Sequence, residues 1–238
     1  MAHISRKELK KDEFREGLES TYEFLSEHKR AIWQVSVVVV VALCAFFGWR
    51  YYSNHQDAKA AAAYAAAMKV YNTPVETNGQ PIPGEKTYPT KTVKYEKAEK
   101  LLGAVATRYA GTRYGQMARY YAGISEERLG KYADASRWLE PLASGGDGPF
   151  QALAKFELAH VYDRMGKHQQ VVALYQQLLK KPNVFVPKPV VLLALADHYQ
   201  TVKDTTLAAK YYEQIKSEYP NTGVADQASQ RLEMLGKT

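Results

Sequence analysis

Residues 31–49 carry no charged side chain, and from Val37 to Phe47 every position is apolar. The run has neither the alternation of a half-buried strand nor the single stripe of a surface helix; it is apolar all round. As a helix it reaches roughly 28 Å, about the thickness of a hydrocarbon layer. There the backbone must satisfy its own hydrogen bonds, because lipid offers no partners. Lys29 and Arg30 precede the run, and Trp49, Arg50, Tyr51 and Tyr52 follow it. Cations and aromatic rings suit the two membrane interfaces. The pattern predicts a transmembrane helix over residues 31–52. Residues 1–30 place Phe14, Leu18, Tyr22 and Leu25 at helical spacing among charges, an amphipathic tail. A charged tail this long, with bulky residues after the run, reads as an uncleaved anchor and not as a secretory signal.

From residue 53 to residue 238 the apolar spacing becomes that of amphipathic helices, and it repeats. Small residues recur at Ala98, Ala135, Val171 and Ala208, and again at Gly123, Ala159 and Ala196. The period is about 36–37 residues. Gly130 and Gly166 stand where each helix pair must turn, with Lys203 at the third such place. The pattern resembles the tetratricopeptide repeat, in which small residues let paired helices approach closely. Leu158, Tyr162, Leu195 and Tyr199 are the expected fillers of the seams between helices. The extra length is assigned to the loops between repeats, around residues 144–149 and 181–187. Residues 224–235 read as a terminal capping helix. An Ala-rich stretch over residues 56–71 reads as the first helix of an incomplete repeat, with residues 93–109 as its partner. Between them, residues 73–92 hold four prolines and two glycines, an inserted loop. The expected fold is therefore all-α: one transmembrane helix followed by an α-solenoid of helical hairpins.

Composition narrows the function. Mean hydropathy is −0.42, so only the one segment is suited to lipid. The single cysteine, Cys44, lies in the apolar run and excludes an internal disulfide. The formal charge of +7 lies entirely beyond residue 30, since the tail's seven basic residues match its seven acidic ones. That excess is spread without a basic stripe, which argues against nucleic-acid binding. The six histidines form no metal-ligand spacing with one another or with Cys44, and no phosphate loop or nucleophile motif is present. No cofactor, metal, small-molecule substrate or enzymatic activity is expected. Lys11, Arg15, Lys29 and Arg30 before the span, against Arg50, Lys59 and Lys69 after it, favour a cytoplasmic N-terminus.

What remains is a protein-binding surface. Repeated hairpins stack with a small rotation and leave a concave face lined by the first helix of each pair. The repeat register assigns Met117, Tyr120, Ile124 and Glu127 to that face, then Phe156, His160 and Asp163, then Leu193 and Asp197, with Leu153, Val190 and Gln200 beside them. The lining is apolar and aromatic with some acid. It lacks the Lys and Asn that would clamp a peptide carboxylate, so an extended chain or partner helix held by apolar contacts is expected.

The junction Gly48-Trp49-Arg50-Tyr51-Tyr52-Ser53-Asn54-His55-Gln56, followed by Ala-rich helix, resembles that of the YfgM-like family, ancillary subunits of the bacterial Sec translocon. The order of elements is also similar: short tail, one span, tetratricopeptide-like domain. The resemblance implies an inner-membrane protein with its C-terminal domain in the periplasm. It further implies contacts with Sec subunits and with a membrane-anchored peptidyl-prolyl isomerase chaperone. Tyr219-Pro220-Asn221-Thr222 is similar to repeats of envelope scaffolds for outer-membrane assembly or cell division, which gives the alternative function.

Overall fold

A computed structural model of the chain describes residues 29–146 and 148–236. The amphipathic tail expected over residues 1–30 lies, but for Lys29 and Arg30, outside the described residues. Among the described residues the protein is all-α. Its helices are α1 (Lys29–Asn72), α2 (Lys91–Arg108), α3 (Arg113–Arg128), α4 (Tyr132–Ala143) and α5 (Pro149–Arg164), then α6 (His168–Lys180), α7 (Lys188–Thr201), α8 (Thr205–Glu218) and α9 (Gly223–Leu235). By its contacts the chain divides after His55 into two units.

The first unit holds the apolar half of α1. Trp33, Val38, Phe47 and Trp49 are each more than 60% exposed, so among the described residues none covers this part, and α1 is a candidate membrane span by length and composition. The helix does not end near residue 52, where the sequence predicts the span to stop. It continues without interruption to Asn72. The apolar run and the Ala-rich stretch are one element, because no proline separates them and Gly48, Ser53 and Asn54 do not suffice to break a long helix.

The second unit begins at Gln56 and is a solenoid of hairpins. Consecutive helices from α2 to α9 pack on one another, and α3 also meets α5 and α7 also meets α9, one repeat apart. The reason is steric. Ala98, Ala135, Val171, Ala208, Ala159 and Ala196 are all fully buried, small side chains that let neighbouring helices pack closely. At Gly123 a Cβ would stand 2.7 Å from Leu139 Cγ, so only hydrogen fits there. The turns inside the hairpins are left-handed: Gly130 at φ 74°, Gly166 at φ 71° and Lys203 at φ 65°. Lys203 thus adopts the geometry that glycine supplies in the earlier repeats, at a steric cost.

Side-chain caps fix several helix starts: Thr90 accepts from Val93 N, Thr112 from Gly115 N, Asp204 from Leu207 N and Thr222 from Ala225 N. Among the described residues the core of this unit is four clusters in series. Ala67, Leu102 and Ala122 join α1, α2 and α3; Leu139, Leu142 and Leu158 join α4 and α5. Tyr175, Val171 and Leu195 join α6 and α7, and Tyr212, Ile215 and Ala228 join α8 and α9. Between α1 and α2 the proline-rich segment folds back on itself: Glu76 N donates to Tyr88 O and Tyr88 N to Pro74 O, at 2.9 and 3.0 Å. The Tyr88 side chain is buried beneath it.

Candidate protein-docking face

The first helices of the hairpins, α3, α5 and α7, carry the residues that the repeat register assigns to a binding face, and these separate into three groups. Tyr120 is only 8% exposed. Its ring packs in the core beside Leu139 and Leu158, and its hydroxyl donates to Glu157 Oε1 at 3.3 Å. Met117, Ile124 and Glu127 are half-buried, Ile124 against the same cluster. Glu127 pairs with Arg128 at 3.6 Å.

On α5, half-buried Phe156 lies edge-on to His160, with centroids 4.7 Å apart, and against Tyr175 of α6 at 5.8 Å. His160 is exposed. Asp163 is drawn away from them towards His198, its Oδ1 2.6 Å from Nδ1. On α7, Leu193 is half-buried against the last core cluster. Asp197 accepts from the Tyr212 hydroxyl at 2.6 Å and lies 3.7 Å from Arg231 of α9. Leu153 and Val190 are half-buried, and Gln200 Oε1 lies 2.8 Å from the same Tyr212 hydroxyl, sharing its single proton with Asp197.

Burial decides the electrostatics. It raises the Glu157 carboxyl above its ordinary range; His160 opposes the shift and Glu127 adds to it. The Tyr120 and Tyr212 hydroxyls are likewise pushed up, first by burial and then by the carboxylates Glu157 and Asp197. The face therefore offers half-buried aromatic and aliphatic groups beside acceptor oxygens, suited to hold apolar side chains and a few donors of another chain.

Sequence reasoning missed a tyrosine cluster next to this face. Tyr71 of α1 meets Tyr121 at 5.1 Å and Tyr95 at 5.8 Å, and Tyr64 lies 5.8 Å from Tyr114. Lys94 stands 5.2 Å over the Tyr95 ring. Burial, then Tyr95, pushes the Tyr71 hydroxyl up to about 12. No short-range motif marks these rings, because they come from three helices. Glu157 and Tyr175 were also missed; Trp138, Tyr175 and Tyr212 recur 37 residues apart in the second helices, a signal that could have found Tyr175. A separate cleft of about 620 Å³ opens between α4, α5 and α6, lined by Pro141, Leu158, Tyr162, Ala173 and Leu174. The Tyr162 hydroxyl donates across it to Glu140 at 2.9 Å. Lys29, Arg30, Trp49, Arg50, Tyr51 and Tyr52, expected at membrane interfaces, all lie on α1 and are exposed.

A family model described as a tetratricopeptide repeat-like domain matches residues 23–185. No curated protein matches the chain. Among solved structures, a Podospora anserina kinesin light chain protein with nearly identical TPR-like repeats is similar at 15% identity and a TM-score of 0.55, over 76% of this chain and 87% of that one. A variant of it is similar at 14% identity and a TM-score of 0.56, over 77% and 87%. At such identity the likeness is one of fold.

Proposed function

The chain belongs to the tetratricopeptide repeat-like domain family, and from that premise we propose that it is a non-enzymatic, membrane-anchored protein whose hairpin solenoid binds another polypeptide. The observation that carries this reading is the series of first helices, which sets half-buried Phe156 beside exposed His160 on one hairpin and half-buried Leu193 on the next. Such stacked hairpins offer an extended binding face. The apolar half of α1 supports anchoring. The anchor would confine the domain to one membrane surface and raise the effective concentration of a weak contact there.

The finer reading is an ancillary subunit of the bacterial Sec translocon, with its N-terminus in the cytoplasm and its C-terminal domain in the periplasm. There it works beside a membrane-anchored peptidyl-prolyl isomerase chaperone. It rests on the similarity of the Gly48-to-Gln56 junction to that of the YfgM-like family. Extraction in mild detergent followed by affinity isolation is the test, and Sec channel subunits are expected to co-purify in stoichiometric amounts. Enrichment of outer-membrane assembly or division proteins alone would overturn the translocon assignment in favour of an envelope scaffold. Protease added to spheroplasts is expected to digest the C-terminal domain; complete protection would reverse the orientation.

A further inference from the structure

The fold gathers three metal-ligating side chains that the sequence holds apart. Asp163 lies in the last turn of α5, His168 opens α6 and His198 lies on α7. Each offers one ligand atom, and these atoms lie within 4.8 Å of one another. His198 is 3% exposed, with Nδ1 2.6 Å from Asp163 Oδ1. The His168 and His198 rings stand 5.4 Å apart, inclined at 42°.

His198 occupies a core position. In the repeat register it corresponds to Ser125 and Val161, both fully buried. A ring there must satisfy its polar nitrogens, and Asp163 does so for one of them. That pair by itself describes a buried histidine kept in place by a carboxylate. His168 changes the reading: it is exposed, packing does not call for it, and yet it brings a third donor to the same point. Two imidazoles and one carboxylate, from three helices, match the three-protein-ligand sites of zinc, whose fourth position is left open.

The geometry is within reach. Two ligand atoms about 2.1 Å from a tetrahedral ion stand about 3.4 Å apart. Exposed His168 would have to swing inwards by roughly an ångström, while half-buried Asp163 eases away from His198 and the buried ring stays fixed. The ion takes neutral imidazoles, so with His198 bound through Nδ1 its one ring proton sits on Nε2. The location also suits a brace, because α7 packs less extensively on α6 than any other consecutive pair from α2 to α9.

We propose that Asp163, His168 and His198 form a binding site for a divalent transition-metal ion of the zinc class, which ties α5 and α6 to α7 and keeps one coordination position open. The site shares Asp163 with the register-assigned face but does not rest on the docking reading. The test uses the full chain without an affinity tag, stripped with chelator and titrated with Co²⁺ and then Zn²⁺. One equivalent of Co²⁺ is expected to give the visible bands of a four-coordinate site, which Zn²⁺ abolishes. Zn²⁺ is also expected to raise the melting temperature. His168→Ala alters only an exposed ring and keeps the helical circular dichroism, yet it should weaken Zn²⁺ binding at least tenfold and remove the thermal shift. Asp163→Asn, which removes the anionic ligand, should weaken binding by at least as much. Absence of a one-equivalent Co²⁺ spectrum would overturn the proposal. So would equal Zn²⁺ affinity in the native chain and His168→Ala, which would place the ion on His3, His28, His55 or His160.

Discussion

At the scale of single residues, close approach and charge burial set the strongest expectations. Leu139 is fully buried and lies where a Cβ on residue 123 would go, so it cannot yield. Gly123→Ala should cost about 1–3 kcal/mol by overpacking, read as a fall in denaturation midpoint. The hairpin turns give a paired expectation. Gly166→Ala forces a side chain into the left-handed region and should cost about 1 kcal/mol, whereas Lys203→Gly relieves that strain and should gain up to about 1 kcal/mol. Equal effects from both changes would show that the turn does not govern stability. Glu157 supplies a pH dependence. Its folded-state carboxyl titrates above the unfolded one because it is buried, so the folded state holds its proton where the unfolded state has lost it. Stability therefore falls as pH rises from about 4.3, the ordinary value, through the raised one, and stays reduced above it. Glu157→Gln keeps an acceptor for Tyr120 and removes the charge. It should melt higher than the native chain at neutral pH, with the difference vanishing near pH 3; a constant difference across that window would contradict the assignment.

At the scale of helices, local chemistry and packing share the work. Thr112 accepts from Gly115 N at 3.0 Å and donates to Tyr109 O at 2.9 Å, closing the turn into α3. Thr112→Ala should cost about 1 kcal/mol, whereas Lys131, which begins α4 without a side-chain cap bond, should tolerate alanine in that respect. The repeat was legible in the sequence because its cause is steric and local: Ala98, Ala135, Val171 and Ala208 keep one register in the chain and one role in the fold. The turn at Lys203 was legible for the same reason, by its register, although its residue type departs from the pattern. The continuity of α1 was not legible. The change from valine to alanine marks a change of surroundings, which the sequence pattern presents as a change of element.

For the whole molecule, the core is a chain of neighbouring clusters, each shared by three or so helices, as in a quasi-one-dimensional stack. This explains how much of the candidate face could be read beforehand. Register alone assigns Phe156, His160 and Leu193 to the first helices, but it cannot tell a ring that lines a face from one that fills a seam. Tyr120 shares their register and is buried, because Leu139 and Leu158 close over it. The polar links lay still further from sequence reasoning. Glu157 with Tyr120, Asp163 with His198, and Asp197 with Tyr212 and Arg231 join helices 15 to 37 residues apart, separations that no short motif spans. The central claim is that the first-helix face of this stack holds another polypeptide. Site-specific photo-crosslinking in intact cells tests it most directly, with the probe at His160 or Leu193 on that face, and at Ala173 or Gln177 in the cleft beside α6. The account predicts one discrete adduct with another protein from His160 and Leu193 and none from Ala173 and Gln177. Adducts from the α6 positions alone would contradict it.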